Sequence, residues 1–443
     1  MTKAVEAIAR QSREAALALG ALDTEERNYA LRAVRDSLVA ERETILEANR
    51  TDKDDARRQV EEGSLSKALF KRLDLEGEKF DGMIAGVDDV LKLPDPVGVV
   101  HAATRLDSGL DLYQVSCPIG VIGVIFEARP EAAVQISALT LKSANSVILK
   151  GGREADRTNR ALAHAIRKGL SQVTGVPEDA VQLIATREEV HHLLDLDEWI
   201  DLIIPRGSNE LVRSIQESTR IPVLGHADGI CSVYLDASAD PGKAIDVVVD
   251  SKTQYPATCN SVETLLVHRD ALSVLSRVGA ALRERGVELR CDAESLAALD
   301  GAEPSSEVDY DTEFLDLVLA VKTVDSLDDA IEHINRHGSH HTDAIVTEDA
   351  AAAERFMARV DSAGVFRNAS TRFADGFRYG LGAEVGISTN KTHARGPVGL
   401  EGLVIYKFRL LGNGQKVADY GPGRKSFQHE RISTSQRLDS GSG

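Results

Sequence analysis

The chain has 443 residues, 42% of them hydrophobic and 28% charged, which is enough for two cored domains and too apolar for a wholly disordered chain. With 52 basic against 70 acidic residues the net charge is −18, a surface that repels phosphate backbones and argues against nucleic-acid binding. No run of about eighteen apolar residues occurs and the first residues are already charged, so no membrane span or signal peptide is expected, and the expected compartment is the cytoplasm.

Residues 1–93 read as helical, with Leu31, Val34, Leu38 and Ile45 recurring at helical spacing and charged residues opposite them. Pro94 and Pro96 end this region, because proline cannot continue a helix. Two extended stretches follow, Leu112–Cys117 and Ile119–Phe126, joined at Pro118. Strand-like runs at Ser146–Lys150, Val181–Ala185, Ile200–Pro205 and Cys231–Leu235 then alternate with helical segments near Thr158–Leu170, Arg187–Leu194 and Asn209–Gln216. This is the spacing of βαβ units, which build a mostly parallel sheet covered by helices. A second series predicts a second α/β domain: strands at Glu263–Val267, Leu317–Val321, Ala344–Thr347 and Gly364–Asn368, with helices near Ala271–Arg285 and Leu327–Arg336. A last strand is expected near Leu403–Phe408. Beyond Leu411 the chain is rich in Gly, Ser and Arg, and its end from Ser433 reads as a disordered tail.

Four cysteines, Cys117, Cys231, Cys259 and Cys291, stand far apart with no CxxC pair, so neither a zinc motif nor a disulfide framework is expected. The His191-His192 and His340-His341 pairs lack further ligands at metal spacing and read as solvated loop or helix-end residues; no metal is expected. Cys259 has a different setting. It lies in a polar loop that runs directly into a strand, where a partly exposed thiolate can act as a nucleophile, although a lone cysteine also serves as a small apolar filler. No GxGxxG opens a helix. The turns at Gly151–Glu154 and Arg206–Leu211 each follow a strand and precede a helix, which suits either a phosphate or a plain connection.

Taken together, a strand ending in Lys150-Gly-Gly, a strand ending in Arg206-Gly207-Ser208, and Cys259 some fifty residues on resemble the order found in the aldehyde dehydrogenases. Within that superfamily, six stretches resemble the γ-glutamyl phosphate reductases: IGVIFEARPE at 122–131, LKGGREADRTN at 149–159, LIIPRGSNEL at 202–211, KTQYPATCNSVETLLVH at 252–268, the stretch around HINRHGSHHTDAI, and the long stretch from Asn368 to Leu403. The resemblance covers about residues 5–410. It implies the aldehyde dehydrogenase fold: a Rossmann-like NADPH-binding domain at 1–228 interrupted by an oligomerisation hairpin near 108–121, an α/β catalytic domain at 229–368, a return segment with an oligomerisation strand at 369–410, and an extension at 411–443.

The resemblance also implies roles. Cys259 matches the nucleophile, Lys150 the lysine on the adenosine ribose, Gly207 and Ser208 the pyrophosphate turn, and Glu313 the glutamate on the nicotinamide ribose. Arg153 stands where many NAD-using relatives have a glutamate, which favours NADPH. Arg129, Asn368, Ser370, Thr371 and Arg372 are the candidates for the substrate's carboxylate and phosphate. Two departures from the oxidative enzymes matter. Ala128 replaces the asparagine that completes an oxyanion hole, leaving the backbone N–H of Cys259 as one donor. The stretch Val223–Gly229 has no counterpart of the glutamate that activates water, offering His226 and Asp228 instead. The implied reaction is reduction of L-glutamyl 5-phosphate to L-glutamate 5-semialdehyde through a Cys259 thioester, in a homo-oligomer, with glutamate 5-kinase as a possible partner. The rival readings are a phosphate-independent semialdehyde dehydrogenase and a non-catalytic binding protein that kept the fold.

Overall fold

Capping and close helix crossings fix the N-terminal region. In a computed structural model that describes residues 2–226 and 228–434, the expected helical stretch divides into α1 (Thr2–Leu19), α2 (Thr24–Ala40), α3 (Arg42–Glu61), α4 (Lys67–Lys71) and α5 (Glu78–Lys92). Asp23 starts α2 with a capping box: its carboxylate accepts from the Glu26 N–H, and Glu26 accepts from the Asp23 N–H. The guanidinium of Arg27 and the carboxylate of Asp95, both almost fully buried, pair at 2.6 Å and tie α2 to the proline segment after α5. Further on, α7 (Asp156–Ser171) packs on α2 through Gly169, where an added Cβ would lie 2.7 Å from Ala33 O and Val34 Cα. A side chain there would force the two helices apart.

By contacts the chain forms two compact units, Met1–Val223 with Gly382–Val385 and Val398–Gly443, and Leu224–Leu381 with Gly386–Pro397. The first unit holds two sheets. One is antiparallel: β1 (Val100–Asp107) and β2 (Leu110–Pro118) form a hairpin, Val404–Leu411 lines the other side of β2, and Glu430–Arg431 pairs with Thr104 and Arg105 of β1. The extension after Leu411 thus returns to this sheet; residues 435–443, most of the expected tail, lie outside the described residues. The other sheet is parallel, in the order β5 (Val181–Leu183), β4 (Ser146–Lys150), β3 (Val121–Phe126), β6 (Leu202–Arg206). All six β3 residues are buried, the continuous apolar run expected of a strand covered on both faces. The helices of this unit's alternation are α6 (Glu131–Lys142), α7, α8 (Arg187–Leu194) and α9 (Asn209–Ser218).

The second unit carries a seven-stranded parallel sheet. Its strands in chain order are β7 (Cys231–Leu235), β8 (Val262–His268), β9 (Glu288–Cys291), β10 (Glu303–Pro304), β11 (Val318–Val324), β12 (Thr342–Val346) and β13 (Gly364–Arg367), arranged β10-β9-β11-β8-β7-β12-β13. The sequence pattern groups Cys231–Leu235 with the first strand series; the structure instead places it at the middle of this sheet, with Val233 paired to both Leu265 and Ala344. Alternate residues supply two cores. Val233, Leu265 and Val346 pack with Ala244 and Val248 of α10 (Pro241–Thr253) and Leu275 of α11 (Leu272–Glu284), with Leu296 of the short α12 (Ala293–Ala298) against the same core. Tyr234, Leu266 and Ile345 pack with Ile331 and Ile334 of α13 (Leu327–His337) and Phe356 of α14 (Ala350–Arg359). Among the described residues no helix is long and apolar enough to cross a membrane.

On α13, His333 is buried edge-on against Tyr310, with ring centroids 5.2 Å apart, and its Nε2 has no hydrogen-bond partner among the described residues. Burial first, then the neighbouring His337 and Lys322, push its pKa down to about 3. The folded-state pKa is therefore below the unfolded value, so the stability this neutral ring contributes is complete above about pH 6.5 and is lost as pH falls from there towards 3. Between pH 7.5 and 5 this single group should cost about 2 kcal/mol. Urea unfolding at both pH values should show that loss in the parent chain and its absence in His333→Phe; equal pH dependence in the two would rule out His333 as the origin.

Candidate active site

In the first unit the expected cofactor residues cluster at the carboxyl ends of β3, β4 and β6. Lys150 ends β4 and is half-buried; burial lowers its pKa, and the carboxylates of Glu154 and Glu127 oppose that shift. Arg153 opens the short 3-10 turn that leads into α7 and is exposed. Gly207 and Ser208 form the exposed turn into α9, and the Ser208 N–H donates to Glu127 Oε2 at 2.9 Å. An anion thus already sits on the free N–H at this helix start, where the helix dipole favours negative charge. Glu127 packs so close that a Cβ on Gly207 would lie 2.6 Å from its carboxylate. The two residues after it, Ala128 and Arg129, both adopt left-handed backbone (φ 45° and 51°), and the Ala128 N–H donates to Glu154 Oε1 at 2.7 Å. Arg129 is left exposed by this turn.

In the second unit the Cys259 loop is anchored from several sides. Gly229 lies flat against it: a Cβ at this position would overlap Cys259 itself, so only glycine lets the loop settle here. The Cys231 thiol donates to Cys259 O at 3.2 Å, and burial pushes that thiol's pKa well up. Thr371 Oγ1 donates to Asn260 O at 2.7 Å, while Asn260 Nδ2 donates to Ala374 O at 2.9 Å. Arg372, itself buried, donates from Nε to Gln254 Oε1 and from Nη1 to Thr258 Oγ1, at 2.9 and 2.8 Å. Its guanidinium also feels the Cys259 side chain, although burial is the larger influence and lowers its pKa. Cys259 remains partly exposed at the top of this scaffold.

Beneath the loop, Lys252 Nζ donates to Glu263 Oε2 at 2.6 Å with both side chains fully buried. Burial pushes the Glu263 carboxyl up to about 7 against the pull of Lys252, and the Leu315 N–H donates to its other oxygen. Glu313 sits in the segment just before β11, near enough to Glu263 to oppose its ionisation further.

The structure therefore brings Ser370, Thr371 and Arg372 against the Cys259 loop, as their position in one motif suggested. It does not leave all of them free for a ligand. The Ser370 and Thr371 hydroxyls already have partners in Ser251 and Asn260. Asn368, at φ 52°, uses its amide in a paired bond to the Thr347 backbone at the end of β12. Sequence reasoning missed Gly229 and Glu127, and it read His341 as a solvated residue, whereas its ring is buried just before β12. Gly229 and Glu127 stand inside or beside quoted motifs, but their roles follow from close approaches that no spacing reveals. His341 Nε2 is buried without a hydrogen-bond partner among the described residues, and one ring nitrogen of His341, one of His226 and the Sγ of Cys259 all lie within 4.8 Å of one another.

Comparison with known proteins fits this arrangement. A family model described as the aldehyde dehydrogenase family matches residues 1–295. A γ-glutamyl phosphate reductase from Synechocystis sp. is 55% identical over 96% of this chain and 98% of its own length, and one from Methanococcoides burtonii is 52% identical over 98% of each. The chain belongs to the γ-glutamyl phosphate reductases. A crystal structure of the γ-glutamyl phosphate reductase from Thermotoga maritima superposes with a TM-score of 0.90 at 40% identity, covering 93% of this chain and 99% of that one. The aldehyde dehydrogenase fold read from the sequence is thus the fold of the chain, and membership of this family makes it an oxidoreductase that uses a nicotinamide cofactor.

Proposed function

We propose that this chain catalyses the NADPH-dependent reduction of L-glutamyl 5-phosphate to L-glutamate 5-semialdehyde in proline biosynthesis, with Cys259 as the nucleophile. The observation that carries the reading is the Cys259 loop: a partly exposed thiol whose flanking residues, Thr258 and Asn260, are bonded to buried partners. Cys259 Sγ attacks the acyl carbon, and the C–O bond to phosphate breaks to release inorganic phosphate and leave a γ-glutamyl thioester. NADPH, when bound, supplies the hydride. In this reading the Cys259 N–H donates to the oxygen that gains charge in each step, and loss of the thiolate leaves the semialdehyde. The remaining N–H donors of Arg372 in the second unit, and separately Arg129 in the first, are the candidate charged groups for the substrate's carboxylate and phosphate; Asn368, Ser370 and Thr371 serve by fixing the surrounding backbone.

Lys150, Arg153 and the Gly207-Ser208 turn form the proposed cofactor set of the first unit, and Glu313 is the proposed cofactor residue of the second. The donors in that set fit a phosphorylated dinucleotide: two cations beside an N–H that already carries a carboxylate. The chemistry also fits a cytoplasmic homo-oligomer built on the edge strand Val404–Leu411, and a kinase partner that makes the labile acyl phosphate. Incubating the full chain with semialdehyde and NADP⁺ in phosphate-free buffer should leave a γ-glutamyl group on the Cys259 peptide in mass spectrometry. An unmodified Cys259 where NADPH forms briskly in the His226→Ala chain, which lacks the candidate water-activating base, would exclude the thioester.

Arg153 should set the preference for NADPH. An exposed guanidinium beside Lys150 can pair with the 2′-phosphate, a charge-assisted contact worth about 1.5–3 kcal/mol and absent with NADH. Arg153→Ala should therefore lower kcat/KM for NADPH by roughly ten- to a hundredfold while barely changing it for NADH. A ratio of the two that stays at the parent value removes Arg153 from the phosphate.

A further inference from the structure

Three parallel strands that neighbour one another, β8, β7 and β12, begin just after Cys259, His226 and His341 in turn. Parallel strands share an end, so three residues far apart in sequence meet at one edge of the sheet. Ser339 helps to bring the β12 approach alongside the start of β7: the Ile230 N–H donates to Ser339 Oγ at 2.8 Å, and the Ser339 N–H donates to Ile230 O at 3.2 Å. The rings of His226 and His341 then meet edge-on, with centroids 5.1 Å apart.

The hydrogen bonds set what these rings present to the thiol. His226 Nδ1 lies 2.9 Å from Ile387 O, and a carbonyl only accepts, so Nδ1 carries a proton and, in the neutral ring, Nε2 holds the lone pair. This is the arrangement that orients metal-bound histidines, with the far nitrogen fixed on a backbone carbonyl. His341 is 1% exposed; its Nδ1 is 2.9 Å from Thr342 Oγ1, and its Nε2 is buried with no hydrogen-bond partner among the described residues. In the tautomer whose Nδ1–H donates to Thr342, Nε2 carries a second lone pair, and metal binding selects that tautomer over the one in which the Thr342 hydroxyl donates. Two imidazole nitrogens and a thiolate are a ligand set for a borderline-soft divalent ion, and their mutual separations of up to 4.8 Å need to contract by about 1.2–1.5 Å to reach tetrahedral zinc geometry.

We propose that His226, Cys259 and His341 form a zinc site that reversibly caps the nucleophile. Zn²⁺ replaces the thiol proton, forming one Zn–S bond and releasing one proton, and the two histidines complete three of four positions. The capping consequence rests on the proposed role of Cys259; the binding does not. The sequence led to the expectation of no metal because the ligands are split among three loops.

The test uses Co²⁺ as a spectroscopic probe on the full chain. One equivalent should give a thiolate-to-cobalt charge-transfer band in the near ultraviolet with intense four-coordinate visible bands, and Zn²⁺ should displace it. Cys259→Ser should abolish the charge-transfer band, and His226→Ala should weaken binding on the order of tenfold or more. His226 is only partly buried, so this variant tests the site even if His341→Ala fails to fold. In the activity arm, Zn²⁺ should suppress reduction over the same concentration range, a chelator should restore it, and the residual rate of His226→Ala should need correspondingly more zinc for suppression. No charge-transfer band, or a band that survives Cys259→Ser, overturns the site; binding with undiminished reduction at saturating zinc overturns the capping. Activity retained in Cys259→Ser would instead count against the nucleophile, a separate outcome.

Discussion

Replacing Cys259 with alanine should lower the rate of L-glutamyl 5-phosphate reduction by about 10³-fold or more while leaving the NADPH dissociation constant within about threefold of the parent value. The first effect follows from removal of the atom that carries the acyl group in the proposed reaction. The second follows because the proposed cofactor residues Lys150, Arg153, Gly207 and Ser208 lie on other segments. The substitution is mild for the fold. Cys259 is partly exposed, and its loop is held through Thr258, Asn260 and the Cys259 backbone oxygen, all of which alanine preserves. Steady-state rates with equilibrium cofactor titration measure both quantities, and unchanged urea unfolding would show the loss to be chemical. Retention of more than about a tenth of the parent rate would mean that no thioester lies on the path.

Oxidation of glutamate 5-semialdehyde in the reverse direction should need inorganic phosphate. The stretch Val223–Gly229 lacks the glutamate that in oxidative relatives would activate water, so the thioester should be released by phosphate attack instead. Aligned general-base catalysis is worth about 10²–10⁴-fold, which sets the expected ratio of rates with and without phosphate. The structure sharpens the competing case, because a ring nitrogen of His226 lies within 4.8 Å of Cys259 Sγ. NADPH formation should therefore be followed in phosphate-free buffer for the parent chain and for His226→Ala. Brisk phosphate-free turnover in the parent that disappears in the variant would assign His226 as a water-activating base and favour the oxidative reading.

Much of this protein could be read from its residues in order. The apolar runs of β3, β4, β7, β8 and β12 are buried on both faces, so their strands stand out against the polar helices between them. Long motifs at Lys150, Arg206 and Cys259 carried the family and the identity of the candidate nucleophile. The short strand Glu288–Cys291 did not stand out, because it alternates exposed and buried residues over only four positions.

What tertiary structure decided is which distant residues meet. The order β8-β7-β12 is set by packing between strands, and no local signal ranks Cys231–Leu235 beside Thr342–Val346. From that order alone come the approach of His226 and His341 to Cys259 and the contact of Gly229 with the nucleophile loop. The same holds for polar residues that looked free. Asn368, Ser370 and Thr371 read as ligand-binding groups in one dimension, yet each has its partner in Thr347, Ser251 or Asn260 once the chain is folded, and for the buried Ser370 and Thr371 that bond is required, since a buried polar group is stable only when hydrogen-bonded. Sequence fixes which chemistry a residue can perform; the pairing of strands and the satisfaction of buried polar groups fix which residues remain available to perform it.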